Sequence, residues 1–434
     1  PQYDAYQRPG SKALLQHFDG MERNFENSDF EHVAKWMLEK GYGFDFFSDR
    51  QLQKFNLKGN SILTGGNSYQ TILLPANKLL TNETMQKLVD LAKGGATILV
   101  YKAMPTDVPG WGMLAARREA FQKLLTQLSF KDEGKLKKAL VGKGAFIVSN
   151  DLDDLIKVGK ARREEVAEKG LSYLRRKNDD GTIYFINNRS DKAVNEWVQL
   201  NATAAAVALY DPMVGKMGLA NRRKTGEGME VQLQLEPHGS VIVQTYKTQK
   251  TGTKYPYVSS DGDALEIGKT WTVEFLSGGP VLPKKYIATK LESWTEASDE
   301  AKSFSGTAKY STSFQKPTGN AGAWLLNLGK VHETAEVFLN GKKLATLVGP
   351  SFQVTISSSE IKATNKLEIV VANLMANRII YMDKNGLPWK IFYNTNMPAR
   401  RRENAKNGIF DASDWKPLPS GLLGPVTLTP LKYE

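Results

Sequence analysis

The sequence predicts a multidomain chain, α/β in its first third and all-β beyond it, and three observations carry that prediction. Residues 69–75 (YQTILLP) and 96–101 (ATILVY) are apolar runs separated by a stretch of helical period, the pattern of a βαβ unit whose parallel sheet is covered on both faces. From Gly170 the apolar period falls from 3.6 to 2, and Gly, Asp and Asn clusters separate short runs, as in a sandwich. Towards the other end, Ala335, Val337 and Leu339 alternate with Glu336 and Phe338, Asn340-Gly341 interrupts, and alternation resumes over 343–347. That is a β-hairpin with a type I′ turn, because both central residues need positive φ and Asn and Gly adopt it at little cost.

Residues 11–40 are predicted helical. Ala13, Leu14 and Phe18, then Val33, Trp36 and Met37, recur at spacings of three and four, which puts each set on one helical face. Gly41 ends the second helix. Thr81 or Asn82 caps a helix whose apolar side is Met85, Leu88, Val89, Leu91 and Ala92, and Gly94-Gly95 stops it. A helix over 114–128 and a strand over 143–148 complete a small doubly wound domain at 1–155. Strands at 171–175, 182–187, 196–200, 206–210, 230–235 and 240–245 make a β-sandwich domain over 156–250. Residues 247–264, rich in Lys, Thr, Gly and Ser, read as a linker. It leads into a third domain over 251–434, whose first residues, 251–264, are that linker. This domain's strands fall at 271–275, 306–314, 323–328, the hairpin and 365–372. In the last, Leu367, Ile369 and Val371 face one way and Glu368, Val370 and Ala372 the other.

The totals narrow the function classes. A chain of 434 residues suggests two to four domains. With 41% apolar and 24% charged residues it has a globular composition, and no window nears the run of about 18 apolar residues that spans a bilayer. The absence of Cys excludes disulfides, thiolate metal sites and a Cys nucleophile. A chain that starts at Pro1 with no initiator Met is expected to be a processed product or a fragment. Lys plus Arg exceed Asp plus Glu by 58 to 46, giving +12, which suits a polyanion. The basic clusters at Arg175-Arg176-Lys177, Arg222-Arg223-Lys224 and Arg400-Arg401-Arg402 are scattered, however. No nucleic-acid motif accompanies them.

Three segments read together point to a family. SFSGTAKYSTSF (303–314), LLNLGKVHETAEVFLNGKKLATLVGPSF (325–352) and NKLEIVVANLMANR (365–378) resemble the galactose-binding-like jelly roll of family 2-type glycoside hydrolases. With LESWTEASDEAKSFSGT before them and SGLLGPVTL (420–428) after, the chain is similar to family 106 glycoside hydrolases, the α-L-rhamnosidases and their relatives. KGYGFDFFSDRQLQ (40–53), YQTILLP and GGATILVY (94–101) resemble the amidotransferase-like α/β domain that follows the catalytic barrel there. TIYFINNRS (182–190) and ALYDPMVGK (208–216) resemble strands of the family's sandwich. A (β/α)₈ barrel takes about 250 residues, and the first 155 supply about four strands of that kind, so no complete catalytic barrel is expected. The resemblance then implies the C-terminal portion of a longer enzyme, with catalytic carboxylates upstream of Pro1. It also implies calcium held by upstream ligands, none in this chain, and a periplasmic or extracellular location.

Glycoside hydrolysis needs two carboxyl groups about 5–9.5 Å apart. Asp45 and Asp49 lie in an aromatic loop, GYGFDFFSD, where capping or solvation is the simpler role. Tyr42, Phe44, Asp45 and Phe46 are candidates to border the active-site mouth, since ligand sites favour domain junctions. His17, His32, His238 and His332 fall on two predicted helices, a strand approach and a hairpin arm with no Ser-containing elbow beside them, and they leave no metal-ligand spacing. Thr64-Gly65-Gly66 and Gly142-Lys143-Gly144 are read as turns. Sugar rings stack on aromatic faces while polar side chains bond the hydroxyls, so Trp294, Trp324, Trp389, Tyr393, Asn373, Asn377 and Arg378 are carbohydrate-binding candidates. The alternative places Trp324 and Trp389 in the core and Asn377-Arg378 at an interdomain contact. The expected function is an accessory region supporting an upstream glycosidase barrel that acts on plant or microbial, and from the charge acidic, polysaccharide. The competing expectation is a non-catalytic carbohydrate-binding or structural surface protein.

Overall fold

A computed structural model describes residues 25–434 apart from 227, 350, 391–401 and 408. The helix expected around Ala13–Phe18, His17 and Tyr393 lie outside the described residues. The chain forms two compact units. One is Pro1–Lys177 with Trp197–Thr203 and Arg222–Val231, the other Asn178–Glu196 with Ala204–Asn221 and Gln232–Glu434.

In the first unit, Thr71–Leu74, Thr97–Tyr101 and Gly144–Ser149 are neighbouring parallel strands, and Leu136–Val141 and Lys131–Glu133 extend the sheet antiparallel. The central strand alternates its side chains between two apolar layers. Ile98 and Val100 join Met85, Leu88 and Val89 of the Asn82–Gly94 helix and Phe121 of the Leu114–Leu125 helix. Leu99 and Tyr101 join Val33 of the Asp29–Glu39 helix and Leu155 and Ile156 of the Leu152–Gly159 helix. The sheet is therefore doubly wound, as the apolar runs predict. Burying each of these side chains contributes roughly 1.5–3 kcal/mol. The antiparallel hairpin was not predicted, because KDEGKLKK hides its alternation. Its charges suit an edge strand, where they discourage pairing with another chain.

In the second unit, Lys216–Leu219, Ala206–Asp211, Ser240–Tyr246 and Thr182–Asn188 form an antiparallel sheet in that order. The stretch read as a linker is built into this unit. Tyr255 and Tyr257 are buried, the Tyr257 hydroxyl donates to Gln232 O at 2.9 Å, and Val258–Ser260 pairs with Thr427–Tyr433. Buried tyrosines with a satisfied hydroxyl outweigh the polar composition around them.

The rest of this unit is a two-sheet roll. Six strands run in the order Tyr286–Ala288, Trp271–Gly279, Ser305–Gln315, Thr364–Ala372, Thr334–Leu339, Lys342–Leu347. The second sheet orders Val258–Ser260, Thr427–Tyr433, Ala323–Asn327 and Gln353–Ser357. One core of Trp271, Trp294, Trp324, Leu326, Val337, Ile369 and Leu428, among others, holds it together. The hairpin turn is as predicted, with Asn340 at φ +52° and Gly341 at φ +84°. Leu367, Ile369 and Val371 are fully buried, and Glu368, Val370 and Ala372 are half-buried. The molecule is mostly β-sheet with few helices, and the described residues hold no closed barrel.

Candidate functional site

The Asp29–Glu39 helix ends as the sequence predicts, with Gly41 at φ +79° just past it. A Cβ there would lie 2.2 Å from Glu164 O, so only glycine fits. The Gly41 carbonyl accepts from Glu164 N at 2.8 Å and from the Tyr173 hydroxyl at 2.7 Å. Burial first, then the Glu164 charge, pushes the Tyr173 phenol up to about 12, which keeps it a donor. These bonds fix where the loop after Gly41 begins.

From that anchor the loop presents aromatics. Tyr42 stacks on Trp36, with centroids 5.6 Å apart, and its burial raises its pKa. Phe44 meets the Phe46 ring edge-on at 5.4 Å, Phe46 lies 5.1 Å from Phe30, and Phe30 lies 5.1 Å from Phe25. Phe46 is 61% exposed. Asp45, also exposed, accepts a hydrogen bond from the Tyr69 hydroxyl. Burial and then this carboxylate raise the Tyr69 pKa. Phe47 turns inward onto Phe55 at 5.4 Å, and Ser48 with Gln51 closes the loop as a capping box. The result is an aromatic ledge edged by a carboxylate and a phenol. It can stack on a flat apolar ligand face and bond its hydroxyls. Tyr42, Phe44, Asp45 and Phe46 thus lie together, although Tyr42 is turned onto Trp36. Phe30 and Tyr69 were missed. Phe30 sits in a helix and Tyr69 is 24 residues from its partner, so no local pattern links them to the loop.

The jelly-roll candidates do not gather into an open site. Trp294 and Trp324 are 0% and 1% exposed, so neither indole has a face to offer a sugar. Trp294 packs edge-on against Phe275 at 5.5 Å and Phe304 at 5.9 Å. Asn373 and Asn377 spend their amides internally. Asn373 Nδ2 donates to Phe304 O at 3.0 Å and Ser420 Oγ at 3.0 Å, and its Oδ1 accepts from Gly306 N at 2.9 Å. Asn377 Nδ2 donates to Leu418 O at 2.9 Å and Ser420 Oγ at 3.1 Å, while its Oδ1 accepts from Leu418 N at 2.8 Å. The Arg378 guanidinium fills the space beside Gly279, 2.3 Å from where a Cβ would sit. Trp389 Nε1 donates to Asp383 Oδ1 at 2.7 Å, and its ring packs edge-on to Phe410 at 6.0 Å. These residues brace the roll. The signal in the sequence was the invested Asn and Trp content, which is the same for a staple and for a sugar site.

Among the described residues no group of three or more His, Asp or Glu is placed to hold a metal ion, and no helix is long and apolar enough to cross a membrane.

Comparison with known proteins bears out the family resemblance. Residues 18–222 match the family 106 glycoside hydrolase model, described as alpha-L-rhamnosidase. A rhamnosidase structure from Novosphingobium sp. PP1Y superposes with a TM-score of 0.65 at 25% identity over 90% of this chain and 36% of that one. A Formosa agariphila protein named a candidate β-glucuronidase is 33% identical over 203 residues, 43% of this chain and 17% of that protein. A β-glucuronidase from Bifidobacterium dentium aligns over 42% of this chain and 32% of its own at 20% identity and a TM-score of 0.27. The chain thus spans about a sixth of that curated relative and about a third of that rhamnosidase. The chain is glycoside hydrolase-like, and its residues 18–222 are similar to the family 106 α-L-rhamnosidases.

Proposed function

We infer that this chain is the accessory region of an α-L-rhamnosidase-type glycoside hydrolase acting on plant or microbial polysaccharide outside the cytoplasm. The catalytic carboxylates, and any calcium beside them, belong to a barrel outside these residues. The observation that carries this reading is the superposition on a rhamnosidase over 90% of this chain but 36% of the other. An open sheet with three parallel strands supports it, since a barrel of the required kind has eight. In this reading the Phe44–Phe46 ledge borders the substrate and the β domains brace the catalytic body. The test uses the polypeptide that carries both the barrel and these residues. Phe46→Ala there raises KM for a polymeric rhamnoside several-fold and leaves kcat on an aryl rhamnoside unchanged, because a ledge contributes binding and no proton transfer. Equal KM on the polymer overturns the bordering role.

A further inference from the structure

The loop that leaves the Thr97–Tyr101 strand is tied down by backbone and side-chain hydrogen bonds. Thr106 N and Asp107 N both donate to Lys78 O, at 2.9 and 3.1 Å, and Leu80 N donates back to Asp107 O at 3.0 Å. Asp107 takes both Arg118 Nε at 2.8 Å and Arg118 Nη2 at 2.6 Å. Val108 is buried in the α/β core. One guanidinium then satisfies the rest of the loop. Arg117 donates through Nε to Gly112 O at 2.8 Å, through Nη1 to Pro109 O at 2.5 Å and through Nη2 to Gly110 O at 2.7 Å.

This well-braced loop holds its largest side chain in water. Trp111 is 91% exposed and Met113 82%, the two highest values for large apolar side chains among the described residues. A mobile loop would fold such an indole back onto the surface, because burial of apolar area is favourable. Three carbonyls held by one arginine prevent that. Gly110 and Gly112 flank the indole, and around Gly112 a Cβ would meet nothing within 4 Å. Neither neighbour has a side chain that could cover the ring. The loop also follows the carboxyl end of a central parallel strand, the end of an open α/β sheet at which ligands bind.

We propose that Trp111 is a carbohydrate platform, a single stacking position for one sugar ring of a polysaccharide chain. The indole face is flat, apolar and electron-rich, and it meets the axial C–H face of a pyranose. Its loop is pre-ordered, so binding does not pay to order it. A protein partner would need a patch approaching 1,000 Å² with several apolar anchors, and here the indole stands out with Met113 beside it. A one-ring contact is weak alone and gains through repeated residues along a polymer. The choice of ligand rests on the glycosidase reading; Trp111 is not one of the residues of the Phe44–Phe46 ledge.

Affinity gel electrophoresis of the 434-residue chain with rhamnogalacturonan in the gel tests this. The wild type is retarded relative to a plain gel, Trp111→Ala loses roughly three- to tenfold of the apparent affinity, as for an aromatic stack, and Trp111→Phe keeps part of it. Thermal midpoints of the three stay equal, since the indole packs against little. The +12 charge retards all three alike, so the difference between variants reads stacking. No retardation of the wild type, or equal retardation of Trp111→Ala, overturns the proposal. So does a dimer by light scattering that Trp111→Ala turns into monomer, which would make the ring a protein contact. Rhamnoside hydrolysis is a separate assay, so failure here leaves the glycosidase reading standing, and failure there leaves the platform measurable.

Discussion

The Glu164 carboxylate has no solvent exposure, and Arg175 Nη1 lies 2.5 Å from its Oε1 while the arginine stays 39% exposed. The other oxygen, Oε2, accepts from Asn201 N at 2.7 Å. The backbone of the same residue holds Gly41, so one acid ties together the start of the aromatic loop, Arg175 and Asn201. Removing one partner of a buried pair typically costs about 3–5 kcal/mol. Arg175→Ala, which would remove the cation facing the buried carboxylate, is expected to cost about that much in urea unfolding. Glu164→Gln is expected to cost less, because it keeps an acceptor for Asn201. A loss below about 1 kcal/mol for the alanine variant would show that the pair is not structural.

The Asp107–Arg118 pair makes an acid-side prediction. Arg118 hydrogen bonding, then the Val108 N–H, lowers the Asp107 pKa from 3.8 to about 2. A depressed folded-state pKa stabilises above the unfolded value and loses that contribution as pH falls through the folded one. Stability from this pair is thus intact above pH 3.8 and lost towards pH 2. Asp107→Asn should show a smaller fall in thermal midpoint over that window than the wild type. An unchanged fall would contradict the pairing.

Two glycines at positive φ should respond very differently to alanine. At Gly421 (φ +98°) a Cβ would lie 2.2 Å from the Tyr310 hydroxyl and 2.7 Å from the Trp294 ring. At Gly341 (φ +84°) it would meet nothing within 4 Å. Gly341→Ala should cost about 1 kcal/mol, the left-handed penalty alone. Gly421→Ala should cost roughly 4 kcal/mol or abolish folding, since overpacking is added to that penalty. Thermal melts of both variants decide the matter, and comparable losses would mean that the roll repacks around Trp294.

What the sequence disclosed was local. The apolar runs around Ile98 and Phe146, the cap at Thr81, the Asn340-Gly341 turn and the alternation of Leu367, Ile369 and Val371 all follow from neighbours a few residues apart. What it withheld was pairing at a distance. Asp45 meets Tyr69 across 24 residues, and Asn377 meets Ser420 across 43, where a hydrogen bond to the protein and one to a ligand call for the same side chain. Tyr255 and Tyr257 sat in a polar stretch whose composition outvoted two aromatics. Trp111 stands in no motif or periodic run, so its 91% exposure is visible only in the fold.

In the proposed reading the groups that cut the glycosidic bond lie outside these 434 residues. The most direct measurement is release of p-nitrophenol from p-nitrophenyl α-L-rhamnopyranoside by the purified chain, followed against buffer at several protein concentrations. The account predicts no release above buffer at any of them. Release that rises in proportion to protein and co-purifies with the chain would contradict it.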